Sequence, residues 1–556
     1  MRVRLLYSDH EWVGIDKYRD TNNIIQDLGL KTLFTMASKD VLKEDGAVKK
    51  VLDADDFIRD VVSKVMMVPL ENEEEIYYRQ GIVQDCLNNE DFIEGLYRIA
   101  TDMSIQWDKL GRKDNENKAR SNDVSWLMSR IRIIRLFVNS LSKLKHFFAS
   151  YQGTFSSEGI AGFVKHLLED FSLEDEKKYI ELLESVDFYV SEGLMADDER
   201  IVCKPRIVLE CGIAGGLKLT DVQLSEIETL HQKYRNPNST LNKLREYVDN
   251  HTATDSIILS GDMMLEKQVA ELVYRIMRYI VTYLEPFYED CAVFFDQLRI
   301  QTAFYRGAVN LKHHAERFQL HICMPKVCGQ EQLHYDTLKE FVMCIEQRIT
   351  AIGNTCDIDD KLLVVITGAN QGGKSTFLRS LGIAQVMMQC GFFVVAKKFE
   401  AGIFPQIFTH FTRREDSAMN SGRLDEELSR MSQIIDSITP GSLVLLNESF
   451  ATTTEKEGSN IAYDIIRALH EAGIKIITVT HLLSFAQRLY SETASGETSA
   501  DASESGSANE NKAWNNGVAF FCAERLPDGR RTYKMVQSVP ELTSFGLDLY
   551  NEIIGG

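Results

Sequence analysis

Residues Gly368, Ala369, Asn370, Gln371, Gly372, Gly373, Lys374 and Ser375 combine flexible glycines, one lysine and one hydroxyl in the spacing of a phosphate-binding loop. Glycine lets the backbone bend tightly around phosphate oxygens. Amides at a helix N-terminus then point at the anion. Lys374 would bring a point charge to the β- and γ-phosphates, and the Ser375 hydroxyl would be a Mg²⁺ ligand. Thr376 opens the helix that follows. The chemistry this predicts is the holding of ATP with Mg²⁺ by residues 368–376.

Two further positions complete a hydrolytic set. Leu443 to Leu446 is an apolar run that ends in Asn447 and Glu448. A carboxylate at the end of a buried strand is placed to orient or deprotonate an attacking water. Asn447 stands where a metal-binding aspartate is usual. It can orient water in the metal shell but carries no charge, so Ser375, Asn447 and Glu448 form the expected metal set. His481 follows a third apolar run, on the edge where parallel sheets bind ligands, and can report the γ-phosphate. Lys374, Glu448 and His481 are thus the expected catalytic residues.

The elements that must position these residues read as α/β. Leu362–Thr367, Leu443–Leu446 and Ile474–Val479 are short β-branched runs of the kind buried on both faces of a parallel sheet. Helical stretches alternate with them, Thr376–Gln389 first. A hairpin is predicted from Val518–Cys522, the turn Pro527, Asp528, Gly529, and Thr532–Val536. Residues 491–511, rich in Ser, Glu, Ala and Gly, read as a disordered insertion.

The sequence before about residue 340 reads as mainly helical. Ser125–Ala149 carries apolar residues at threes and fours, with Arg130, Arg132, Arg135, Lys143 and Lys145 forming a solvated face. Strands are expected at 201–203 and 206–209, with turns at Gly212, Gly215 and Gly216. From Thr220 to Tyr288 the periodicity is again helical, broken near 236–240. The predicted layout is a helical region over 1–340 and an α/β P-loop domain over 341–556.

The formal net charge of −20 over 556 residues argues against a simple nucleic-acid coat, because phosphate contacts come from Lys and Arg. It leaves a local basic surface open. The nine prolines permit long helices. The ten cysteines include no CxxC pair. His321, Cys323 and Cys328 come nearest to a metal cluster but lack the second close pair of a zinc site, so packing residues are expected. No apolar signal core opens the chain, and no apolar run reaches the ~18 residues of a membrane span. A cytoplasmic protein without membrane contact is expected.

The string from Ile366 to Arg379 resembles the P-loop of the MutS mismatch-repair ATPases, where Gly-Pro-Asn-Met-(Ala/Gly)-Gly-Lys-Ser-Thr is typical. Asn370 matches, whereas Ala369 and Gln371 depart. Ser442–Glu448 is similar to the family's Ser-Leu-Val-Leu-Leu-Asp-Glu except at Asn447. Ala451–Thr454 and Thr480–His481 fall where the family carries its Gly-Thr-Ser/Thr loop and its Thr-His. Val539–Gly546 resembles the closing segment that leads into a dimerising helix. More loosely, Asp27–Phe34 and Pro69–Gln80 resemble segments of the family's core.

This resemblance implies a helical core and lever, with a short clamp near 201–260. It implies a homodimer formed through the ATPase domain and ATP hydrolysis coupled to binding of mismatched, branched or otherwise structured DNA. The mismatch-reading wedge is not found near the start. Phe188 and Tyr189 do not sit in its context, and no Smr nuclease domain is expected. Aligning Glu427 with the glutamate of the family's Ser-Thr-Phe-x-x-Glu segment puts Gly422, Arg423 and Leu424 where Ser-Thr-Phe belongs, with Ser421 beside them. Asn447 leaves open an ATP-bound dimeric switch with little turnover, and a ribosome- or RNA-associated ATPase is a third reading.

Overall fold

The computed structural model describes residues 2–10, 21–44, 47–117, 124–151, 153–170, 206–214, 218–228, 263–329, 332–413, 422–498 and 517–541. The chain divides into two compact units. One takes in residues 1–3, 94–155 and 161–299, and the other 4–93, 156–160 and 300–556.

The first unit is helical around an aromatic core. Helix Val124–Ala149 buries Ile133, Ile134, Phe137, Val138, Leu141, Leu144 and Phe148, a spacing of threes and fours that makes one continuous stripe. Phe148 meets Phe163 edge-on with centroids 5.6 Å apart, and Phe137 stacks on Phe295 at 5.9 Å. Arg132 and Lys143 on this helix are exposed, as a solvated face requires.

Arg206–Ala214 pairs antiparallel with Lys218–Glu228. The second strand corrects the helical reading of the stretch that begins at Thr220. Its apolar residues Leu219, Val222, Leu224 and Ile227 fall at intervals of two and three, which fit either period, and hairpin pairing decides. Gly212, expected in a turn, lies within the first strand. Residues 201–203, Gly215, Gly216, Phe188 and Tyr189 lie outside the described residues.

The second unit is built on a six-stranded sheet in the order Ile407–Phe411, Leu443–Asn447, Lys475–Val479, Leu363–Gly368, Val518–Arg525, Arg531–Gln537. The first five strands run parallel and the last closes the predicted hairpin antiparallel. Every residue of Leu363–Gly368 and Lys475–Val479 is buried, as strands covered on both faces must be. Ala462, Tyr463, Ile466, Phe485, Ala486 and Leu489 cover one face. A four-stranded sheet, Lys326–Val327, Lys398–Ala401, Leu333–Leu338 and Asn354–Asp357, belongs to the same unit.

Helix Lys374–Gln389 lies so close to its neighbours that a Cβ at Gly382 would meet Leu28 and Leu445 side-chain carbons, each at 2.7 Å. At its far end Gln389 is fully buried. Its Nε2 donates to Phe404 O at 2.8 Å and Leu70 O at 3.2 Å. Its Oε1 accepts from Gln385 Nε2 at 2.8 Å and Phe404 N at 3.2 Å, and Leu70 N donates to its carbonyl at 2.8 Å.

The disordered reading of 491–511 is corrected over its first part, because Leu483–Thr498 is helical. Nucleation is the costly step of helix formation, and a helix begun at Leu483 propagates into Ser, Glu and Ala. Residues 499–511 lie outside the described residues. Hairpin Lys39–Glu44 with Ala47–Ala54 was not expected from the sequence. His321, Cys323 and Cys328 form no metal-binding cluster, and none is present among the described residues. No helix among the described residues is long and apolar enough to cross a membrane.

Candidate functional site

The expected residues converge on one cleft of about 780 Å³. Asn370, Gln371, Gly372, Gly373, Lys374, Ser375 and Thr376 line it, together with Glu448 and His481. Gly368 and Ala369 lie at the end of the strand that enters the loop. Gly368, at φ +110°, has no room for a side chain, since a Cβ would meet Ala523 N at 2.9 Å. A Cβ on Gly372 would meet Ala523 Cβ at 2.7 Å and Ala369 O at 2.9 Å. Gly373, at φ +89°, is the left-handed residue from which the helix springs.

Lys374 is 4% exposed. Its Nζ donates to Gly368 O and Ala369 O, both at 2.9 Å. Burial pulls its pKa down to about 8, partly offset by Glu448 and Glu541. An ammonium so desolvated is primed for an anion, which would restore its charge. Backbone that admits no Cβ, a helix N-terminus and this buried ammonium fit a polyphosphate. Gln371, one of the departures in the loop, adopts φ +60° and accepts from Arg531 Nη1 at 3.2 Å.

The metal set also comes together. Ser375 Oγ donates to Asn447 Oδ1 at 2.8 Å, so the hydroxyl and the amide oxygen share one spot. Both are hard oxygen donors of the kind Mg²⁺ takes, usually with several retained waters. Glu448 Oε1 lies 3.0 Å from His481 Nε2. That hydrogen bond is the main reason the Glu448 carboxyl is held below its ordinary range. Glu448 itself is left-handed at φ +55°, and Phe450 follows at φ +65°.

Behind this second loop, sequence reasoning named Glu427 only as the match to a family glutamate and missed its contacts, together with Thr412 and His410. Glu427 Oε2 accepts from Phe450 N at 2.9 Å and Thr452 Oγ1 at 3.2 Å. Thr412 Oγ1 donates to Glu448 O at 2.6 Å. His410 is fully buried, between Ser449 Oγ at 2.7 Å and Glu427 O at 3.0 Å. A carbonyl can only accept, so the neutral ring carries its proton on Nε2 and leaves Nδ1 as an acceptor facing Ser449 Oγ, whose hydroxyl also reaches His410 O at 2.8 Å. Burial draws the His410 pKa down to about 4. Only an acid at the fifth position of helix Arg423–Ser437 and a histidine within an apolar strand could have signalled these contacts.

A parallel sheet with a glycine loop between a strand and a buried helix is the architecture of a P-loop nucleotide-binding domain. The family model for MutS domain V matches residues 364–514, and that for the MutS2 N-terminal domain matches residues 71–318. The chain belongs to the MutS family. It is 39% identical over 125 residues to a DNA mismatch repair protein MutS of Thermotoga neapolitana, a match covering 22% of this chain and 16% of that one. It is 35% identical over 139 residues to the MutS of Petrotoga mobilis, covering 24% and 17%. It is 36% identical over 129 residues to the DNA mismatch repair protein MSH3 of Eremothecium gossypii, covering 23% and 12%. The chain thus spans well under a fifth of the length of these relatives.

Proposed function

We propose that the chain is a MutS-type ATPase that converts ATP and water to ADP and phosphate. Turnover would be coupled to binding of mismatched, branched or otherwise structured DNA by a dimer formed through the P-loop domain. The observation that carries the reading is the convergence in one cleft of the buried Lys374 ammonium, Ser375 with Asn447 hydrogen-bonded to it at 2.8 Å, and the Glu448–His481 pair at 3.0 Å. These five residues come from three segments of the chain, 374–375, 447–448 and 481, and would supply anion binding, metal ligation and water orientation.

In this reading residues 368–376 hold the polyphosphate. Ser375 and Asn447 hold Mg²⁺, with Glu448 beside it. Mg²⁺ supplies charge neutralisation between phosphate oxygens when bound. Glu448 stays ionised because His481 hydrogen-bonds it, so it can accept a proton from water or align it. His481, which lines the same cleft, would register the γ-phosphate. The printed names of the relatives, DNA mismatch repair proteins, support DNA as the ligand.

The test is steady-state ATP hydrolysis by wild type, Lys374→Ala and Glu448→Gln, alone and with duplex, mismatched and four-way-junction DNA. Turnover that rises with one DNA form and falls in both variants by about 10²-fold or more is expected. Turnover near background everywhere with nucleotide still bound would replace this reading with a binding switch, in which the neutral Asn447 limits the metal site. No DNA binding at low salt, with co-sedimentation on ribosomes, would redirect it to RNA.

A further inference from the structure

We propose that Glu427 is a positioning residue for Glu448: with Thr412 and His410 it braces the loop 448–452 in the conformation that presents the Glu448 carboxylate to the cleft. The proposal rests on the reading of Glu448 given above.

The Glu448 loop is not a conformation the chain would adopt unaided. Two residues with side chains, Glu448 and Phe450, have left-handed backbones, which cost free energy unless the surroundings impose them. Within the loop, the closing hydrogen bond is a long one, Ala451 N to Glu448 O at 3.3 Å. The holding groups come from elsewhere. Glu427 is 4% exposed, and its carboxylate takes the Phe450 amide and the Thr452 hydroxyl on one oxygen. Thr412 Oγ1 lies 3.4 Å from the other oxygen. Thr412 also donates its hydroxyl to Glu448 O, and its amide donates to Asn447 O at 3.1 Å. His410 spans from Glu427 O to Ser449. The braces therefore touch residues 447 to 450 and 452.

The brace is also anchored. Arg430, one turn beyond Glu427 on helix Arg423–Ser437, donates Nη1 to Phe411 O at 3.0 Å. Its guanidinium also lies 3.7 Å from Asp27, which itself accepts from Phe411 N at 3.3 Å. Helix and strand are thus pinned together at Phe411, between His410 and Thr412. Glu427 touches no cleft atom in this arrangement and lies outside the cleft lining. Its effect on chemistry can travel only through the loop.

The test combines turnover with exchange. In Glu427→Ala, kcat should fall by between about 10- and 100-fold, the scale of a misplaced reacting group, while the affinity for ATP stays within about threefold. Glu427→Gln, which keeps one carbonyl oxygen for Phe450 N, should recover most of the loss. In a Glu448→Gln background, Glu427→Ala should add nothing further, because its effect runs through Glu448. Hydrogen exchange at the Phe450 amide in nucleotide-free protein should speed up about tenfold or more in Glu427→Ala. Thr412→Val provides the same readouts if Glu427→Ala does not fold.

Unchanged exchange in the loop, or additive losses with Glu448→Gln, would overturn the proposal. A wild type that turns over ATP regardless of Glu448→Gln would remove the catalytic reading instead. The exchange measurement judges the brace independently of that outcome.

Discussion

The loop from Gly368 to Gly373 and the loop from Glu448 to Thr454 each follow a parallel strand of the same sheet, yet they are held in different ways. The first is closed largely on its own backbone. Gly372 N donates to Ala369 O at 3.2 Å, and Lys374 returns to the carbonyls of Gly368 and Ala369. The second takes its shape from His410 and Thr412, in and just after the strand Ile407–Phe411, and from Glu427 on helix Arg423–Ser437. A self-closed loop can be built wherever a strand meets a helix. A loop braced from outside inherits every change in its braces. Affinity for nucleotide and the ability to turn it over should therefore be separable properties of this molecule.

The sharpest test of that separation pairs two substitutions. Lys374→Ala should weaken ATP binding by about 100-fold or more, the scale for removing one partner of a buried charged pair. Glu448→Gln should leave affinity within a few fold. Titration calorimetry on both proteins decides it, and equal losses of affinity would erase the distinction.

The next effect is on stability, and between the two loops it is the braced one that contributes it at acid pH. His410 titrates near 4 in the fold and near 6.5 in an unfolded chain. Between those values the unfolded chain takes up a proton that the folded one refuses. Stability is therefore full above about pH 6.5 and falls as the pH drops towards 4, by on the order of 3 kcal/mol. Urea unfolding of wild type and His410→Gln across that window should show the slope in wild type and a flatter line in the variant. Parallel curves would mean that the histidine is not the group responsible.

The smallest effect concerns the self-closed loop. Gly372→Ala puts a Cβ 2.9 Å from the Ala369 carbonyl, which belongs to the loop itself. The loop must shift, and ATP affinity should fall about tenfold with the pH profile of stability unchanged. Ala523→Gly should not rescue it, because the clash with backbone remains. Rescue would show that contact with the neighbouring strand, and not the loop's own closure, sets the fit.

These contrasts also explain what could be read from the residues alone. The P-loop, the strands at 363–368, 443–447 and 475–479 and the final hairpin were legible because each signal is local. Glycine spacing, β-branched runs and a Pro-Asp-Gly turn carry their physics within ten residues. Glu448 and His481 were visible because each ends a recognisable strand. The contacts of Glu427, Thr412 and His410 were not, since acid, hydroxyl and imidazole are ordinary residue types whose meaning here comes from distant partners. The strand Lys218–Glu228 was misread because its apolar intervals fit two periods. The hairpin 39–54 passed unnoticed, as Lys39, Asp40, Lys43 and Glu44 interrupt its apolar residues.

One feature of the P-loop helix bears on motion. Sixteen residues make a rod about 24 Å long. Its near end is the loop, and its far end is keyed by Gln389 to Leu70 and Phe404. A rod keyed at the tip can neither spin nor slide without turning what it is keyed to. Displacing this helix must therefore carry Leu70 with it or break the Gln389 hydrogen bonds, and Leu70 lies just before helix Glu73–Asn88. The buried Gln385 and Gln389 thus make the far end of the P-loop helix a fixed point, tied to Gly402, Phe404 and Leu70.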